Sequence, residues 1–192
     1  MTDQFFNFIS ETTKENFQSA QQEVFSDNAY NPYSDDLDLI EELLDENKFD
    51  EAVNYLSVNV LLSARAHLYK NYALTQLGKE KEAQAELIFA HKILEGISLT
   101  GDGTLVKPYL ITRISDEKDF LSYLEEVFAR QSLVSDNGHF YDVIVTQSER
   151  RIYFDITTPY LKMQNLMDDG KMQLSFLDEQ VVKEKKWWQF WK

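Results

Sequence analysis

A chain of 192 residues with 43% apolar and 14% aromatic side chains can build a folded core and fits one domain, or two small ones sharing an interface, which argues against disorder of the whole. Its formal net charge of −14 repels phosphate backbones and anionic lipid, so no nucleic-acid partner is expected. It has no cysteine, which rules out thiol nucleophiles, disulfides and zinc–thiolate sites.

The first thirty residues hold no basic start followed by an apolar run, and no stretch of about 20 apolar residues is available to cross a bilayer. A cytoplasmic location is the expectation. Residues 1–11 are short and mixed, with Phe5, Phe6, Phe8 and Ile9 apolar. Thr12-Thr13-Lys14-Glu15 fits a capping box in which Thr12 caps and Glu15 reaches back. A helix is therefore predicted to about residue 25, with Phe17, Ala20, Val24 and Phe25 on one side. Pro32 pushes Asn31 out of the helical region and makes 31–34 a turn. Asp35, Asp36 and Asp38 then suit the positive end of the next helix dipole, and Leu39, Ile40, Leu43 and Leu44 form that helix's apolar side. After a break at 46–48, residues 49–58 read as a return helix that buries Phe49, Ala52, Val53 and Leu56.

Residues 63–96 carry the hairpin around which the chain is organised. Ala66, Tyr69, Ala73, Leu74 and Leu77 line one face of the first helix, and Ala83, Leu87, Ala90 and Leu94 one face of the second. The alanines let the two helices approach closely. Gly78 sits where the first helix must stop in a left-handed conformation. The segments 47–52 and 78–83 are the same device, with Ala52 and Ala83 31 residues apart. A tetratricopeptide repeat has a period of about 34, so two degenerate repeats are read here; the alternative is two ordinary helical hairpins without repeat ancestry. Two repeats are fewer than the roughly three that close a core, so the preceding helix and the C-terminal half are expected to cover their ends.

The character changes at Gly96. Residues 101–104 are a tight turn, and 108–114, rich in β-branched and aromatic residues, read as a strand. Ser115 looks like an N-cap, leading into a helix to about Arg130 with Phe120, Tyr123, Leu124, Val127 and Phe128 in one stripe. Asp136-Asn137-Gly138 is a turn. Residues 140–146 and 152–157 are the two best strand candidates, with a hairpin loop between them; Tyr141, Val143 and Val145 fall on one face and Phe140, Asp142 and Ile144 on the other. The fold class is thus α+β. Tetratricopeptide-like helical hairpins occupy 1–97, a small antiparallel sheet with one packed helix occupies 98–160, and a linker and tail occupy 161–192.

The tail holds every tryptophan in the chain, and residues 183–192 carry a local charge of +3 from four lysines and one glutamate. As a helix it would place Trp187, Phe190 and Trp191 on one face with Trp188 adjacent, and Lys185 and Lys186 just before them. Three destinations compete: a membrane interface, a groove on a protein partner, or the acidic helical array of the chain itself.

Several pieces recur in a known order: YNPYS at 30–34, ARAHLYKNYALTQLGKEKEA at 64–83, GDGT at 101–104, PYLITRISDEKDFL at 108–121, YDVI at 141–144 and IYFDIT at 152–157. Together they resemble the bacterial domain-of-unknown-function family number 4919, over roughly residues 13–160. The resemblance implies a tetratricopeptide-like helical part followed by a small β part; it brings no activity, cofactor or site residue. Many members carry an export signal, from which this sequence departs.

Candidate chemistry is sparse. Asp102 between two glycines either presents a carboxylate for a metal or a base, or bonds its own backbone; it lacks the ligand spacing of a calcium loop. Asp102, Asp116, Glu117, Asp142 and Asp155 cluster in the β half, and two brought close together would share a proton near neutral pH. The plainer reading gives Asp116 and Glu117 to capping and the others to solvated positions. Asp102, Asp142 and Asp155 are the candidates for a hydrolase site. His67, His91 and His139 match no ligand spacing, and there is no G-x-S-x-G elbow or phosphate cradle, so no metal or cofactor is expected. The leading expectation is a non-enzymatic protein-interaction module with the helical repeats as binding surface and the tail as docking element. A carboxylate hydrolase and a peripheral membrane protein are the alternatives.

Overall fold

The structure, a computed structural model, describes residues 3–168. The described chain runs α1 (Asp3–Ser10), α2 (Lys14–Ser26), α3 (Asp36–Asp45), α4 (Phe49–Asn54), a 3-10 turn (Val58–Val60), α5 (Ala64–Gln76), α6 (Glu80–Thr100), β1 (Tyr109–Leu110), α7 (Asp116–Tyr123), β2 (Phe128–Asp136), β3 (His139–Thr146), β4 (Arg151–Asp155) and α8 (Thr157–Asp168). This is an α+β fold. The sheet has the order β1-β4-β3-β2, with β2, β3 and β4 antiparallel and β1 added parallel to β4, so it is mixed rather than wholly antiparallel.

The helical half matches its sequence signals closely. The turns after α3 and α5 share one backbone motif. Asn47 (φ 59°) and Gly78 (φ 69°) adopt the left-handed conformation, and the N–H of the next residue reaches back five positions, Lys48 to Leu43 O at 2.8 Å and Lys79 to Leu74 O at 2.9 Å. This capping satisfies the last carbonyls of each helix and turns the chain into its antiparallel neighbour. Ala66, Ala73, Ala83 and Ala90 are all buried, as close helix packing requires. The cap of α2 is Thr13, not Thr12: Thr13 Oγ1 accepts from Asn16 N at 3.2 Å, whereas Thr12 bonds back to Phe8 O and closes α1. Leu56 is exposed, contrary to expectation, because α4 stops at Asn54 and the chain leaves the helical face before reaching it.

A single hydrophobic core joins the two halves: Phe5, Phe8 and Phe17 meet Ile93, Leu94 and Ile97 of α6, and the same cluster continues through Tyr109, Phe120, Ile152 and Phe154. A smaller cluster around Ile40, Ala52, Ala66 and Ala73 lies between α3, α4 and α5. The boundary expected at residue 97 falls inside α6, and the one at 161 inside α8. Gly96 is where α6 meets the N-terminal aromatics; a Cβ there would lie 2.6 Å from Phe17 Cδ2 and 2.8 Å from Phe8 Cζ. Gly96→Ala is expected to destabilise by about 1–3 kcal/mol despite its better helix propensity, because two buried rings must move. Chemical denaturation checks this, and an unchanged midpoint would refute it.

Two β-half expectations need correction. The strand predicted over 108–114 pairs only at Tyr109–Leu110. Beyond it Asp116 Oδ2 takes the N–H groups of Thr112 (3.1 Å) and Arg113 (2.8 Å), bending the chain off the sheet. The helix predicted to reach Arg130 ends at Tyr123, where Glu125 (φ 58°) and the Glu126 N–H to Leu121 O bond (2.9 Å) repeat the capping motif seen twice before. The next element is β2, whose first residue, Phe128, belongs to the apolar stripe that reads as helix.

Candidate functional site

Charged side chains gather where α7 meets the helical array. Asp116, Glu117 and Asp119 occupy the first turn of α7, and all three are buried. Each has a structural partner. Asp119 Oδ1 accepts from Arg65 Nη2 at 2.6 Å and Nε at 3.0 Å, tying α7 to α5. Burial opposes charge on Arg65, but Asp119 outweighs it and holds the guanidinium firmly ionised. Arg113 crosses to the N-terminal half, donating to Ser34 Oγ (2.7 Å), Ser34 O (2.7 Å) and Asn59 O (3.0 Å). Beside it the Tyr30 hydroxyl donates to Thr112 O at 2.6 Å, and burial pushes that phenol's pKa up. Asp36 accepts from Asn59 Nδ2 at 2.8 Å and from the Tyr55 hydroxyl. These bonds pin the loops 30–34, 57–63 and 111–115 against one another.

Glu117 differs. It faces Asp142 of β3, and the two carboxyls are near enough that each shifts the other. Gln131 Nε2 of β2 donates to Glu117 Oε2 at 3.4 Å, while Oε1 meets no donor among the described residues. Burial first, then the Asp142 charge and hydrogen bond, push Glu117 well above the usual carboxylate range; burial also raises Asp142, with the Glu117 bond pulling it back. Burial likewise pushes Asp116 up to about 7, against the two N–H bonds it accepts.

The three hydrolase candidates are not brought together. Asp102 is exposed, and its Oδ1 accepts from Thr104 N (3.0 Å) and Thr104 Oγ1 (2.7 Å), a turn aspartate serving its own backbone. Asp142 points to the core face of the sheet. Asp155 pairs in register with Tyr141 rather than with Asp142, so it lies on the opposite face. There its Oδ1 accepts from Thr157 N at 2.9 Å and Oδ2 sits 3.7 Å from His139 Nδ1, beside an open groove of about 450 Å³ lined also by Gln18, Gln22 and Pro159. The two carboxyls that the fold does bring together are Glu117 and Asp142. His67 is buried and bonded to Glu86 Oε2 (2.5 Å) and Leu61 O (3.0 Å). Among the described residues no group of three or more His, Cys, Asp or Glu is placed to hold a metal, and no helix is long and apolar enough to cross a membrane. Lys185, Lys186, Trp187, Trp188, Phe190 and Trp191 lie outside the described residues.

The nine residues of β2 are all exposed, and among the described residues its only sheet neighbour is β3. Phe128 and Leu133 (51% exposed) lie on the core face beyond the reach of the helices, Val134 lies on the outer face, and Val127 (56% exposed) precedes them. The other edge is blunted, because β1 is two residues long and covered by α6. A search of family models, curated proteins and solved structures finds no match to this chain.

Proposed function

We propose that the chain is a protein-interaction module that docks a partner's extended segment along the free edge of β2. The observation that supports this is a nine-residue strand whose outer backbone edge and apolar side chains are left to solvent, a template for strand addition that folded chains ordinarily cover or blunt. The helical half serves as scaffold. Its apolar faces are spent on α1, α2 and the sheet, so the binding surface moves from the helical hairpins, where the sequence suggested it, to the sheet edge. The matched turns after α3 and α5 favour the tetratricopeptide-like reading of those hairpins, in line with the bacterial family that the motif order resembles. The aromatic and basic residues at 185–191 form a second docking element, and the chain works in the cytoplasm.

Leu133→Pro tests the reading. Proline there removes an N–H that faces the free edge rather than β3, spoiling the strand as a template while leaving the β2–β3 ladder in place. Proteins retained by the wild-type chain should be lost by this variant while its circular dichroism stays native. An undiminished set of retained proteins would remove the edge from consideration.

A further inference from the structure

We infer that the occupant of the β2 edge is a second copy of this chain, paired antiparallel about a twofold axis through Leu133 so that two four-stranded sheets become one. This rests on the edge reading above and adds the partner's identity.

The backbone sets which groups are available. Asn137 (φ 50°) and Gly138 (φ 83°) form a two-residue turn of the mirror-image type between Asp136 and His139. The pair flanking such a turn exchanges its backbone hydrogen bonds, and alternation then directs Ser132, Val134 and Asp136 toward β3. The N–H and C=O groups of Gln131, Leu133 and Ser135 point to the free edge. Phe140, the register partner of Ser135, agrees: its N–H donates to Thr157 Oγ1 (3.0 Å) and its C=O accepts from Ile156 N (2.9 Å), both away from β2.

A twofold axis through Leu133 sets Leu133 opposite Leu133 of the second copy and Gln131 opposite Ser135, so every outward-pointing residue meets an outward-pointing counterpart. The same register sets Arg130 opposite Asp136 on the outer face, twice by symmetry. These are the only charged residues of β2, which is neutral within a chain of net charge −14. Self-apposition at this edge thus trades repulsion for two ion pairs. Sliding by one step along the symmetric series puts Arg130 opposite Val134 or Gly138 and loses both. Arg130 also lies 3.5 Å from Glu149, but that bridge is exposed on both sides and holds it weakly. Leu133, the most exposed apolar side chain of the strand, is covered by its own counterpart.

Sedimentation across a concentration series of the full chain tests the pairing. The wild type should show a reversible dimer. Arg130→Glu and Asp136→Arg should each weaken it by about tenfold or more, since both symmetric pairs become repulsive. Mixing the two variants should restore association, because each copy then faces its opposite. With no native cysteine, Leu133→Cys should form an interchain disulfide on mild oxidation, and Ser132→Cys should not, since only Leu133 meets itself. A wild-type monomer up to about 0.5 mM, or Ser132→Cys crosslinking in place of Leu133→Cys, overturns the inference. If self-association is absent while Leu133→Pro still loses captured proteins, the second copy is wrong and the edge reading stands. If Leu133→Pro changes neither, the edge reading itself fails.

Discussion

Replacing Arg65 by methionine is expected to cost about 3–5 kcal/mol, the largest single loss in the molecule outside the aromatic core. The side chain links α5 to α7, and its removal leaves the Asp119 carboxylate buried without a counter-charge. Asp119 has a second oxygen, Oδ2, that already meets no donor among the described residues, so little is available to take over the charge. Packing is roughly conserved by methionine, which confines the effect to electrostatics. The double variant Arg65→Met with Asp119→Leu should recover most of the loss, because neither charge is then left in the interior. Urea denaturation at unchanged slope reads both effects. A single-variant cost below about 1 kcal/mol would place the pair with ordinary surface bridges and refute its role in holding the halves together.

Raising the pH from about 5 to about 8 is expected to weaken the fold, the reverse of ordinary acid denaturation. Glu117, Asp142 and Asp116 all stand above their usual values in the folded chain, Asp116 at about 7, chiefly because burial disfavours their charged forms. A carboxyl whose folded value is raised contributes stability that is complete below its unfolded value and is lost as pH rises through the folded one. The window therefore opens near pH 4 and extends through about 7 for Asp116, and Glu117 acts in the same direction. Asp36 works in the opposite sense, being lowered by its hydroxyl and amide bonds although burial opposes them, but its contribution is lost only below that window. Glu117→Gln provides the isolating control. A neutral amide of the same shape can donate to Asp142 and carries no charge at any pH, so the variant should gain about 1–3 kcal/mol at pH 8 and show a shallower pH slope. Parallel slopes for wild type and variant would show that general charge repulsion, not this pair, sets the dependence.

The sheet illustrates how signals compete along a chain. Asn137-Gly138 between alternating apolar residues is among the strongest local signs of a hairpin, and it implies a strand on both sides. The strand before it is nonetheless concealed, because Phe120, Tyr123, Leu124, Val127 and Phe128 fall at helical spacing. The stop at Glu125 is what separates them. Its positive φ carries no glycine to announce it, whereas Gly78 marks the equivalent turn plainly. The acidic run from Asp116 to Asp119 misleads similarly. Its composition suits a solvated first turn, and the burial of Asp119 and Glu117 depends on Arg65 and Gln131, which arrive from other elements.

Periodicity and capping residues alone determined the helical hairpins, the α+β class and the faces of β3, because each depends on neighbours within a few positions. Only the tertiary structure decided that Glu117 meets Asp142, that Asp102 and Asp155 stay apart, and that β2 is left at an open edge. Those outcomes depend on strand order and on long-range partners such as Arg65 and Gln131, to which no local spacing refers.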